Sequence, residues 1–102
     1  MAQFLVIAYD GTDAGAGERR KSARPGHFEG IKSMVEKGEL TYGGAILDDA
    51  GKMIGSAVFV DFPSRRELDA WLDREPYVKE RVWQKIEVKP VRIAVRDGKI
   101  NP

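Results

Sequence analysis

The hydrophobic pattern of the chain predicts four strands. A continuous apolar run at residues 3–9 is typical of a strand near the middle of a sheet. Residues 40–47 and 53–62 predict two further strands, and the turn-forming residues 48–52 between them predict a hairpin. Residues 83–91 alternate between apolar and charged side chains, which predicts a fourth strand with one more polar, solvent-exposed face.

Two segments between these strands carry apolar residues at helical spacing. The first predicted helix runs from about Ser22 to Lys37, with Ser22 as its N-cap and Pro25 in its first turn, where a missing N–H is harmless. Residues 10–17 before it have no periodicity and predict a mobile loop. The predicted buried stripe of this helix consists of Phe28, Ile31, Met34 and Val35.

The second predicted helix occupies about residues 65–74. Ser64 and Glu67 have the spacing of a capping box at its start, and Pro76 disfavours helical geometry at the residue before it. Its inward side chains are Leu68, Trp71 and Leu72. In the tail, residues 94–102, Asp97 and Gly98 suggest a turn.

The predicted element order is β-α-β-β-α-β in one α+β domain covering residues 1–102. Right-handed crossovers then place both helices on one face of a four-stranded antiparallel sheet, the ferredoxin-like arrangement. The strands are apolar on both sides, so the helix-free face also needs a cover. We therefore predict a homodimer with its two sheets face to face.

Composition narrows the function classes. The chain has 17 basic and 16 acidic residues, a balance that gives no electrostatic case for nucleic acid or an anionic membrane as partner. It contains no cysteine, which excludes disulfides and thiolate chemistry and is compatible with a reducing cytoplasm. A single histidine without ligand spacing predicts no metal site, and no cofactor motif is present.

The single histidine, His27, is the main candidate for acid–base chemistry. Imidazole has an unperturbed pKa of about 6.5, so it can accept and release protons near neutral pH. If the fold brings Glu75 to His27, the carboxylate would hold the ring in one tautomer. The alternatives are a surface or capping histidine without chemistry, and a solvated glutamate at a helix end paired with a nearby arginine or lysine.

Five further residues are candidates for substrate binding. Arg24 has forked donors suited to an anionic oxygen, although it could instead pair with Asp10 or Asp13. Tyr9 and Tyr77 would add hydrogen bonds, although tyrosines in strands and turns are more often packing residues. Ser22 and Gly44 complete the set: Ser22 lies beside the histidine segment, and Gly44 would let the backbone approach a ligand or would mark a bulge.

Several short motifs together resemble the YciI-like proteins in order and spacing. The segments that carry the resemblance are 22–28 (Ser-Ala-Arg-Pro-Gly-His-Phe), 38–40 with the glycine pair 43–44, 55–56, 75–78 (Glu-Pro-Tyr-Val) and 88–90. The resemblance implies a dimeric α+β barrel, related in fold to muconolactone isomerases. It also implies an active site that pairs the histidine of an Arg-x-x-His motif with the aspartate of an Asp-Pro-Tyr motif.

Those positions are His27 and Glu75, so this chain has glutamate where the family usually has aspartate. The extra methylene moves the carboxylate by about 1.5 Å, a distance over which catalytic geometry can be lost. One relative is a dehydrochlorinase acting on a chlorinated hydroxyhydroquinone, which implies that the scaffold supports lyase chemistry. The leading hypothesis is a small cofactor-independent lyase or isomerase acting on a small cyclic or aromatic substrate. The alternative is a non-catalytic homodimer that binds a small molecule or a protein.

Overall fold

A computed structural model describes all 102 residues of the chain. Its elements in chain order are β1 (Ala2–Asp10), α1 (Ala16–Glu36), β2 (Leu40–Leu47), β3 (Met53–Phe62), α2 (Arg65–Arg74), the one-turn helix α3 (Pro76–Lys79), β4 (Trp83–Val91), β5 (Val95–Arg96) and β6 (Lys99–Ile100).

The first four long strands form one antiparallel sheet in the order β2-β3-β1-β4. This order is the ferredoxin-like topology, so the predicted fold class is confirmed. Phe4 lies opposite Val60, and Val6 lies opposite Val58, so the apolar side chains of β1 and β3 meet on the face that the helices cover. The short strands β5 and β6 follow β4 in the chain and pair with each other as a separate hairpin.

The hydrophobic core lies between this sheet face and the helices. From α2, Leu68 and Trp71 are buried, as the apolar spacing predicts. The core side chains contributed by the strands and by the segment after α2 are Phe4, Val6, Ala8, Leu40, Val58, Val60, Phe62, Tyr77, Val82 and Trp83. Burial of this continuous cluster holds α1 and α2 on one side of the sheet and leaves the other side free of helices.

Helix α1 begins six residues earlier than the sequence predicts. It starts at Ala16, with Gly15 as N-cap, so residues 16–21 are helical rather than part of a loop. Ser22 is therefore not an N-cap, and Pro25 lies inside the helix. Good helix formers in this first segment favour the extension. Asp13 anchors it by accepting from the Gly15 N–H and pairing with Arg19, whose guanidinium lowers the pKa of the Asp13 carboxyl well below its usual range.

The buried face of α1 also differs from the predicted stripe. Its buried residues, spaced by four, three, four and seven positions, are Ala16, Arg20, Ala23, His27 and Met34. Successive helical residues are about 100° apart around the axis. When His27 and Met34 face the core, the residues next to them in sequence therefore point outward. Phe28 and Val35 are accordingly half exposed. Polar residues on the buried line, which hydrophobic spacing cannot reveal, set the rotation of this helix.

Two serine-to-alanine substitutions test these helix starts. Ser64 caps α2 by accepting from the Arg66 N–H, so Ser64→Ala should lower the free energy of unfolding by about 1 kcal/mol. Ser22 is exposed inside α1, so Ser22→Ala should leave stability unchanged or raise it slightly, since alanine is the better helix former. Urea denaturation measures both values. A loss for Ser22→Ala similar to that for Ser64→Ala would restore Ser22 as a cap and contradict the observed start of α1.

Candidate functional site

Glu75 occupies the junction between α2 and α3. Its extended backbone (φ −68°, ψ 124°) ends α2, and Pro76 then starts α3 at a position where the missing N–H is harmless. The Glu75 side chain caps α3 because Oε1 accepts from the Tyr77 backbone N–H at 3.1 Å. The residue is 2 % exposed, so this carboxylate is held in place by its own turn.

His27 meets this carboxylate from α1. Its Nδ1 lies 2.5 Å from Glu75 Oε1, and the residue is 5 % exposed. The imidazole stacks on the Tyr77 ring with centroids 3.8 Å apart and meets Trp83 edge-on. With Nδ1 directed at Glu75, Nε2 is the nitrogen left for chemistry. The extra methylene of glutamate does not separate the two groups in this chain.

His27 lines a cleft of about 300 Å³ between α1 and the sheet. That volume is at the lower end of small-molecule sites and suits a ligand built on one ring. Gly43, Gly44 and Ala45 of β2 form one wall, and Ser56 and Tyr77 also face the cavity. Three larger grooves, of about 420, 540 and 610 Å³, lie elsewhere on the surface and contain neither His27 nor Tyr77, although Glu75 borders the 420 Å³ groove. We place the candidate site in the smaller cleft because His27, whose Nδ1 contacts Glu75, lines it.

A buried polar network adjoins this cleft. Both carboxylate oxygens of Asp10 accept from Arg20 Nη1 at 2.9 Å. Arg20 Nη2 donates to Ser56 Oγ at 2.9 Å, and the Trp83 indole N–H donates to the same oxygen at 3.1 Å. The Arg20 guanidinium also lies 5.1 Å from the centre of the Tyr77 ring. The network therefore connects Asp10 to the ring on which His27 stacks.

Sequence reasoning missed Arg20 and Ser56. Two signals could have found them: Arg20 precedes His27 by seven residues, hence two helical turns on the same face, and Ser56 alternates in register with Val58 and Val60. Gly55 beside it permits the close approach of β3 to β1, since a Cβ there would lie 2.4 Å from the Ala8 carbonyl oxygen.

The other sequence candidates divide between the cleft and the outer surface. Tyr77 and Gly44 line the cleft, and burial raises the pKa of the Tyr77 phenol, so it stays a neutral donor at pH 7. Arg24 lies at the cleft edge, 5.1 Å from the Phe28 ring centre, and pairs with neither Asp10 nor Asp13. Tyr9 lines the 540 Å³ groove and Ser22 the 610 Å³ groove, and neither residue reaches His27.

No cluster of three or more histidine, cysteine or acidic side chains is placed to hold a metal ion. None of the helices is long and apolar enough to cross a membrane.

The fold and the cleft define a class of protein: a ferredoxin-like α+β domain with a buried imidazole–carboxylate pair beside a small cavity. The profile of the YCII-related domain matches residues 2–92. The chain belongs to the YCII-related family.

Named relatives agree with this assignment. Protein YciI of Escherichia coli and protein YciI of Shigella flexneri are each 31 % identical to this chain over 95 residues, a match that covers 87 % of the chain and 97 % of each relative. A solved structure, 5-chloro-2-hydroxyhydroquinone dehydrochlorinase (TftG) from Burkholderia phenoliruptrix in complex with 2,5-dihydroxybenzoquinone, superposes with a TM-score of 0.76. It is 20 % identical, over 88 % of this chain and 93 % of its own, and supports the fold.

The buried ion pair between Arg20 and Asp10 gives a stability prediction. The two side chains are 10 % and 5 % exposed, so Arg20→Met leaves a buried carboxylate unpaired and should lower the free energy of unfolding by about 3–5 kcal/mol. The double variant with Asp10→Asn should lose much less than the sum of the single variants, because it removes the unpaired charge. Urea denaturation of the four proteins completes the cycle. Arg19→Met, at an exposed ion pair, is the matched control and should change stability far less.

Additive losses in that cycle would contradict a direct interaction between Arg20 and Asp10.

Proposed function

We propose that this protein is a small cofactor-independent enzyme of lyase or isomerase type that acts on a hydroxylated, small cyclic substrate. The observation that carries the proposal is the buried contact of His27 Nδ1 with Glu75 beside a cavity of single-ring size. In this arrangement Glu75 keeps the proton on Nδ1, and Nε2 is the general base. The dehydrochlorinase with the same fold supports lyase chemistry on a ring substrate.

Hydrogen-bond donors next to the base favour a substrate that develops negative charge on oxygen. Ser56 Oγ already accepts from Arg20 and Trp83, so its own O–H is the group left to donate to a ligand. Arg24 adds positive charge at the cleft edge, and the neutral Tyr77 phenol adds a further donor. The charge of Arg20 is balanced by Asp10. Such donors stabilise an enolate or phenolate oxygen in the transition state.

The proposed reaction with a chlorinated substrate is a loss of hydrogen chloride. Nε2 of His27 takes a proton from the substrate, and Glu75 stabilises the resulting imidazolium. Chloride leaves with the electron pair of the carbon–chlorine bond, and the proton passes from His27 to water. The step consumes no oxidant or reductant. On a substrate without a leaving group, the same base would return the proton to a different atom, which is an isomerisation.

The experiment that tests this function is turnover of 5-chloro-2-hydroxyhydroquinone and a panel of halogenated catechols and lactones, followed by chloride release and absorbance. His27→Gln should lower kcat by about 10²–10⁴ because it removes the base. Glu75→Gln should also lower kcat because it removes the charge that stabilises the imidazolium. Glu36→Gln, the same change at an exposed site on α1, is the control and should keep full activity.

Equal turnover by wild type and His27→Gln would exclude His27 as the base. Tight binding of panel compounds without turnover by any protein would favour the non-catalytic binding module instead.

We also propose that the protein is a homodimer that pairs through the helix-free face of the sheet. Leu5, Ile7, Ala57 and Phe59 lie on that face by strand alternation and are half-buried in the single chain. No helix packs over them, and a second copy would complete their burial.

Light scattering should give twice the chain mass of 11.4 kDa. Ile7→Lys should shift the protein towards the monomer because it places a charge in the proposed contact, while circular dichroism confirms that the fold is kept. Val35→Lys is the control, since Val35 is 54 % exposed on α1, away from this face. A wild-type mass of one chain at high concentration would exclude the dimer.

A further inference from the structure

The C-terminal hairpin lies outside the segment that defines the family. The family profile ends at residue 92, and β5 and β6 follow it. The turn between them is tight, since Asp97 and Gly98 both have left-handed backbone (φ 53° and 71°), as in a type I′ turn. This hairpin therefore lies outside the part of the chain that the family profile matches.

The hairpin, together with Ile93 just before it, lies on the helix-free side of the sheet and contacts three of its strands. At β1, the Gln3 side-chain oxygen accepts from the Ile93 backbone N–H at 2.8 Å. At β3, Asp61 forms an ion pair with Arg96 at 3.6 Å. At β2, the Tyr42 hydroxyl donates to Asp97 Oδ1 at 3.0 Å and accepts from the Asp97 backbone N–H at 3.2 Å. This reciprocal pair of hydrogen bonds attaches the turn to the far edge strand.

Strand β2 has few other restraints where it borders the cleft. It is an edge strand that pairs only with β3, and its register is irregular between Leu40 and Tyr42. The next two residues, Gly43 and Gly44, have no side chains to pack, yet they form one wall of the cleft. Tyr42 adjoins this wall in sequence and points to the opposite side of the sheet, where Asp97 holds it.

We propose that the C-terminal hairpin is a positioning element that holds the Gly43–Gly44 wall of the cleft in place through Tyr42 and Asp97. Only the expected effect on substrate binding rests on the proposed function. The direct consequence of the hairpin contacts is order in β2, which can be measured without any substrate. Tyr42 and Asp97 do not line the cleft, so they would influence affinity rather than the chemical step.

Hydrogen exchange of the full-length protein tests the direct consequence. Tyr42→Phe removes the hydroxyl and both hydrogen bonds but keeps the ring, and should speed exchange of the β2 amides about five- to thirtyfold. Gly98→Ala strains the turn at a left-handed position without touching the sheet, and should give the same pattern. Gly30→Ala, on the surface of α1 with open space around it, is the control and should leave β2 exchange unchanged.

Substrate measurements test the consequence for the site. Tyr42→Phe and Gly98→Ala should raise KM, or the Kd of the probe 2,5-dihydroxybenzoquinone, about two- to thirtyfold with kcat unchanged. If wild type neither binds the probe nor turns over the panel, the proposed function fails, while β2 exchange still decides the role of the hairpin.

Unchanged exchange in β2 would overturn the proposal. So would equal acceleration in β2 and the central strand β1, which would mean that the hairpin stabilises the whole domain. If Tyr42→Phe or Gly98→Ala changed only the mass measured by light scattering, the hairpin would instead contact a second copy through the exposed Val95 and Ile100. That result would also overturn the proposal.

Discussion

Glu75 is the residue on which the arrangement of the helices depends. Its backbone ends α2, its carboxylate caps α3, and the same oxygen contacts His27 of α1. A carboxylate this far from water is costly unless it is paired and hydrogen-bonded. The Tyr77 N–H and the imidazole supply those partners, so the turn after α2 and the rotation of α1 are determined together. The contact between Glu75 and His27 therefore both stabilises the buried carboxylate and orients the imidazole.

The rotation of α1 has consequences along its whole length. Placing His27 against Glu75 also points Arg20 inward, where Asp10 neutralises it. It turns Phe28 outward to the edge of the cleft, where Arg24 lies over its ring. The buried polar groups therefore decide which apolar residues remain exposed, whereas in most helices the apolar residues decide which face is buried. This is the physical reason that a cavity remains open between α1 and β2.

The chemistry of the cleft follows from an imbalance between acceptors and donors. One imidazole nitrogen is the basic acceptor, while Ser56, Tyr77 and the arginines present donors. Asp10 compensates the charge of Arg20 from behind without facing the same cleft. A site of this kind favours an acidic substrate proton next to an oxygen that becomes negative. Glutamate in place of aspartate still reaches the imidazole, since Glu75 Oε1 lies 2.5 Å from His27 Nδ1.

Much of the fold could be predicted from local pattern. The bounds of β2, β3, α2 and β4 agree with alternation, turn chemistry and the cap at Ser64, because those signals act over a few residues. The pairing of His27 with Glu75 could be anticipated from the family resemblance alone, since 48 residues separate them in the chain. The start of α1 was predicted six residues too late, because Ser22 and Pro25 resemble a helix start, whereas the helix is capped at Gly15.

Sequence by itself therefore determined the element order, the topology and the presence of a histidine suited to acid–base chemistry. Only the tertiary structure decided which face of α1 is buried, that Arg20 and Ser56 border the cleft, and that Tyr9 and Ser22 lie elsewhere. The reason is physical. Hydrophobic periodicity indicates which apolar residues are buried, whereas a buried charge is stabilised by partners from distant segments. The local sequence does not show where those partners lie.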